Sequence, residues 1–188
     1  MRLDENDRHR IQQAVEAAES RTGTHIATVI VSAADRYALY PIVWAALIAL
    51  LCGGAMALFA RAMPLRESFG IEAALFVVLS LVFDWWPLRL RLVPRHIRHA
   101  RASALAHHEF AARILADRGE KGGVLLFVSH GERYAEVIGD RKLHARVGSA
   151  GWNRIVDALV SAAKSGRLAD GMVGAIDACA AEISAPPG

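Results

Sequence analysis

Two cysteines in 188 residues cannot build a disulfide scaffold. No sign of charge prevails either: 22 Lys and Arg face 19 Asp and Glu, a net +3, which excludes a disordered polyelectrolyte or a histone-like chain. There is no Gly-x-Ser-x-Gly, no phosphate-binding loop and no Gly-x-Gly-x-x-Gly. Repeats and low-complexity linkers are missing too, and the opening MRLDENDRHR has no apolar stretch of the kind a cleaved signal peptide needs. Aromatics are only 7%, yet hydrophobic residues reach 54% and mean hydropathy is +0.26. The aliphatic excess therefore exceeds what a small core uses, and points to a membrane protein with a folded polar part.

The charge is concentrated. Residues 89–118 hold seven basic and two acidic side chains, whereas 1–36, 37–88 and 119–188 are each within one unit of neutral. This basic collar follows directly on the most apolar region. No charged residue lies between Arg36 and Arg61, and the 20 residues 41–60 would span about 30 Å as a helix, the thickness of a hydrocarbon core. A second run, 69–86, is interrupted near its ends by Glu72 and Asp84. Pairing the two as a transmembrane hairpin over 37–88 returns both polar segments to one side. It also gathers Tyr37, Tyr40, Trp44, Trp85 and Trp86 into one interfacial belt, with Pro87 stopping the second helix. Arg36, Arg89, Arg91, Arg95, Arg98 and Arg101 against Arg61 and Arg66 place the polar part in the cytoplasm, as a multi-pass protein of the inner membrane. Ala45, Ala49, Gly53 and Ala57 recur every four residues, a stripe that admits either the second helix of the hairpin or a homodimer partner.

The polar segments, 1–36 and 89–183 with a tail at 184–188, read as one interrupted α/β domain, a small sheet with packed helices. Residues 4–20 have one apolar helical face, and HIATVIV (25–31) is a β-branched strand. His99 to Asp117 is helical by pattern and stops at Gly119. GGVLLFVS (122–129) is apolar throughout, as a strand buried on both faces is, while YAEVI (134–138) alternates like an edge strand after an HGER turn. Two helices follow, expected to be capped by Ser149 and Asp170.

The stretches RTGTHIATVIVSA, GGVLLFVSHGERYAEVIGDRKL and GRLADGMVGAIDAC resemble the TPM-domain family, in particular bacterial members with a transmembrane pair inserted in the domain. The resemblance implies an α/β sandwich. It also implies one of two roles: calcium-binding phosphatase, or assembly and maintenance of membrane complexes. Three positions depart from the family's pattern: His25 where an acid is common, Lys121-Gly122-Gly123 for Asp-Asn-Gly, and Lys142 for a glycine. Losing carboxylates removes the hard oxygen ligands that Ca²⁺ requires, so no cofactor is expected, with Ca²⁺ as the alternative.

HHEF (107–110) is not a zinc motif, since no second ligand falls one turn on. The collar residues Arg89, Arg91, Arg95, Arg98 and Arg101 fit anionic lipid at a membrane exit rather than nucleic acid, because no stacking aromatics are interleaved. If 25–31 and 122–129 are parallel neighbours, Ser32 and Asp35 meet Ser129, His130 and Glu132 at the strand ends, where open α/β sheets bind ligands. Ser32, Ser129 and His130 are the candidate ligand contacts, and Asp35, Glu132 and Asp140 the candidate catalytic acids. The expected role is an interaction or assembly module at the membrane surface, with membrane lipids and a membrane protein as partners. A metal-dependent phosphatase is the alternative.

Overall fold

The computed structural model describes residues 4–35, 37, 39–59, 64–85, 92–116 and 122–185. Arg36, Arg61, Trp86, Pro87, Arg89, Arg91, Asp117, Gly119 and Lys121, invoked above, lie outside the described residues. The chain divides into two compact units, one of residues 1–34 with 99–188 and one of residues 35–98.

The first unit opens with α1 (Glu5–Thr22), whose end groups are satisfied locally. Asp4 accepts from the Asp7 amide at 2.6 Å, and Gly23 at φ 64° closes the helix by donating its amide to the Glu19 carbonyl. β1 (His25–Val31) then pairs in parallel with β2 (Gly123–Ser129), in the register His25 to Gly123 through Val31 to Ser129. β3 (Tyr134–Gly139) pairs antiparallel with β2 on its other side, giving the order β1-β2-β3. Every residue of the central β2 is buried, as its unbroken apolar run requires. Val124, Leu126 and Val128 face a core shared with Ile11, Val15, Ile155, Leu159, Met172 and Ile176. Leu125 and Phe127 face the opposite layer, made by Ala102, Ala106 and Phe110 of α4 (Arg95–Phe110) and by Ile114 of the π-helical turn Ala111–Leu115 that continues it. The small alanines of α4 let it lie close on the sheet.

α5 (Arg141–Lys164) and α6 (Leu168–Ser184) complete the unit. α5 is two helical segments that meet at Gly148 (φ 72°, ψ 162°), a backbone region open essentially to glycine alone. Asp140 caps the first segment, and the second begins directly after Gly148, at the start expected from Ser149. α6 starts after Arg167 without a side-chain cap; Asp170 sits inside its first turn and instead binds Arg10 of α1 at 2.7 Å.

The second unit contains α2 (Leu39–Phe59) and α3 (Leu65–Phe83), packed against one another. Of the expected pair of spans, the structure supports one by length and composition. Among the described residues one helix, Leu39–Leu58, is long and apolar enough to cross a membrane. α3 carries Arg66, Glu67 and Glu72. Glu72 lies against α2: a Cβ on Gly53, about 9 Å before the end of that helix, would collide with the Glu72 carboxyl group at 2.5 Å. Within the small-residue stripe, Ala45 and Ala49 are buried, Gly53 receives Glu72, and Ala57 is exposed.

Candidate functional site

The parallel β1–β2 pair brings four of the candidate residues together. At the carboxyl ends of these strands the chain after β2 turns through His130–Arg133 and folds back against the exit of β1. The His130 amide donates to the Val31 carbonyl at 3.0 Å, and the Gly131 amide to the Ser32 carbonyl at 2.8 Å. Gly131 is obligatory at this approach, since a Cβ there would stand 2.8 Å from the Ser32 oxygen. Glu132, only 2% exposed, reaches under the turn. One carboxylate oxygen accepts from the Ala34 amide at 3.0 Å and the other from the Ser129 hydroxyl, which is itself fully buried. A carboxylate taken from water is costly unless hydrogen-bonded, so this arrangement fastens the end of β1 to the β2–β3 turn.

Asp140 does not join Glu132. Asp140 lies at the other end of the sheet, where Gly139 opposes Val124. Its Oδ1 accepts from the Leu143 amide at 2.8 Å and its Oδ2 from the Gly123 amide at 3.1 Å. Seven residues of β2 separate it from Glu132, about 20 Å at the rise of a strand. Asp35 follows Ala34, whose amide Glu132 binds. Near Asp140's end, His25 stands at the start of β1 with its Nδ1 2.7 Å from Glu19, whose same oxygen accepts from the Ile26 amide at 2.8 Å. The acid expected at position 25 is thus replaced by a histidine that binds an acid from α1.

Calcium takes six to eight oxygen ligands in one shell. Glu132 and Asp140 each use both carboxylate oxygens on the protein's own donors, at opposite ends of the strands. Among the described residues no group of three or more His, Cys, Asp or Glu is placed to hold a metal ion. Glu132 and Asp140 therefore do not share a calcium site.

Of the histidines, His99 packs its ring on Tyr134 at 5.4 Å, and His107 is bonded back to the Ser103 carbonyl at 2.9 Å. Tyr134 donates to Glu136 at 2.9 Å, and its phenol is pushed above its ordinary value, chiefly by burial. In the collar, Arg95 and Arg101 are exposed and Arg98 is half-buried.

A concave feature adjoins the turn. A cavity of about 360 Å³ opens between the β2–β3 turn, the end of α5 and the start of α6. Its apolar wall is Val128, Ala135, Leu159, Val160, Ala163 and Leu168, and its basic residues are His130, Arg133 and Lys164. Of the candidate residues named from sequence, Ser129 and His130 line it; Arg133 and Lys164 went unnoticed. The two are 31 positions apart, and no local pattern links them. The φ of 53° that Arg133 adopts in its turn, uncommon for a residue with a side chain, is visible only in the structure.

The TPM domain family model matches residues 93–182. No curated protein matches the chain. Among solved structures, the NMR structure of BA42 protein from the psychrophilic bacterium Bizionia argentinensis superimposes with a TM-score of 0.57 at 12% identity, covering 98% of this chain and 83% of that one. At that identity the likeness is one of fold. From α4 to the last turn of α6, what this chain is similar to is a TPM domain.

Proposed function

We propose that this protein is a membrane-anchored binding module in which a TPM-like α/β unit engages a protein partner at the membrane surface. The observation that carries this reading is the fate of the acids. Asp140 serves as a helix cap and strand tie and Glu132 as a buried fastener, at opposite ends of the strands, so the two do not converge on one metal ion or one water. What the chain offers instead is surface, a basic stretch on α4, and an apolar helix whose Leu47, Leu50, Leu51 and Leu58 are exposed.

The sheet supports the anchoring. β1 precedes residues 35–98 and β2 follows them, yet the two strands are hydrogen-bonded neighbours. Any excursion of 35–98 through a bilayer must therefore return, with an even number of crossings. Leu39–Leu58 supplies one crossing by length and composition. α3 supplies the return with Glu72 held on Gly53 rather than in lipid, since a carboxylate inside a membrane must face another helix or water. In this arrangement Arg95, Arg98 and Arg101 lie beside anionic headgroups on the cytoplasmic side of the inner membrane.

Two measurements test the reading. A photo-crosslinker at exposed Lys142 should give one discrete adduct in membranes, and the purified protein should hydrolyse p-nitrophenyl phosphate at background rates with or without Ca²⁺. Calcium-dependent hydrolysis that falls on Asp35→Asn would replace the binding module by a phosphatase.

A further inference from the structure

We propose that the cavity between the β2–β3 turn and the α5–α6 corner binds a small organic anion with an apolar body, a medium-chain or aromatic carboxylate. The volume, about 360 Å³, falls in the range of small-molecule sites. Its composition is asymmetric. Six lining side chains are aliphatic, three are basic, and none is acidic. Arg133 and Lys164 are exposed at the mouth of the cavity, where an anionic group gains ion pairs that a neutral apolar guest does not make, and a bare inorganic anion would leave the aliphatic wall uncovered. A carboxylate with a hydrocarbon body satisfies both.

Two further features favour an anion here. α6 begins at the cavity with Leu168, and its start has no side-chain cap, so its partial positive charge adds to that of the basic residues. Arg133 holds φ 53°, a conformation that glycine or asparagine would adopt at less cost. Turn-building alone does not call for arginine at that place. Lys164 also suits the last turn of α5 through the helix dipole, so its charge alone decides nothing. The pairing of the two cations across one aliphatic pocket is what defines the site.

The test uses the full chain in phosphatidylcholine nanodiscs, titrated with octanoate and followed by backbone amide shifts. Octanoate should shift Ser129 to Ala135 and Leu168 saturably, while octanol and acetate at equal concentration should not. Arg133→Gln and Lys164→Gln should each weaken octanoate about tenfold, as loss of a charged hydrogen bond does. Ala163→Leu should abolish binding with the Leu126 amide signal unmoved. Octanol matching octanoate, or undiminished affinity in both glutamine variants, would overturn the proposal. So would the same shifts appearing without octanoate in discs containing phosphatidylglycerol, since the occupant would then be a membrane lipid.

Discussion

Glu132 is the residue on which the β1 exit depends. Truncation to alanine removes the acceptor for the Ala34 amide and the buried Ser129 hydroxyl together. Each orphaned donor carries a desolvation cost, so Glu132→Ala should destabilise the α/β unit by about 2–3 kcal/mol. Accelerated hydrogen exchange of the β2 amides would measure it. Burial chiefly, helped by the charge of Glu182, pushes the Cys179 thiol from 9.0 up to about 12. The folded state thus keeps the thiol neutral while the unfolded chain ionises it at ordinary values. This contribution to stability is complete below pH 9 and is lost as pH rises towards 12. Cys179 should resist iodoacetamide in the native protein and react once urea unfolds it. The melting midpoint should fall more steeply with alkalinity in the parent chain than in Cys179→Ser.

Among the elements, those whose neighbours are close in sequence were the legible ones. The unbroken GVLLFVS run identified the central strand, the alternation of YAEVI identified the edge strand, and their shared turn was plain. The helix after Gly148 was legible, whereas the short segment before it was not, although Asp140 precedes Leu143 by the three residues of a capping contact. Contacts between distant elements left no local trace: Arg10 with Asp170, Arg21 with Asp177, and the cavity walls from β2 and α5. The break in α5 offers a test at this scale. A Cβ at Gly148 meets nothing within 4 Å, so any penalty there is conformational rather than steric. Gly148→Ala should cost about 1–3 kcal/mol in urea denaturation, whereas Gly174→Ala, equally open but without positive φ, should be neutral or stabilising.

For the whole molecule, the strand order matters more than the hydropathy of any one helix. Hydropathy pointed to two spans, and the structure supports one by length and composition. The hydrogen-bonded β1–β2 pair adds what hydropathy could not: residues 34 and 99 emerge into the same compartment whatever 35–98 does between them. Reporter fusions at Ala34 and His99 should therefore agree in sidedness. Opposite readings would mean that the sheet does not form in the cell.

The two ends of that excursion lie at one end of the sheet. Val31 opposes Ser129, Ser129 opposes Tyr134, and the His99 ring lies 5.4 Å from the Tyr134 ring. Two strand spacings are about 10 Å and the three residues from Val31 to Ala34 add up to about 10 Å more, a reach that a flexible bridge of about twenty glycines and serines spans on average. Residues 35–98 should accordingly behave as a detachable cassette. Cutting them out and joining Ala34 to His99 with such a bridge should yield a water-soluble protein that still unfolds cooperatively.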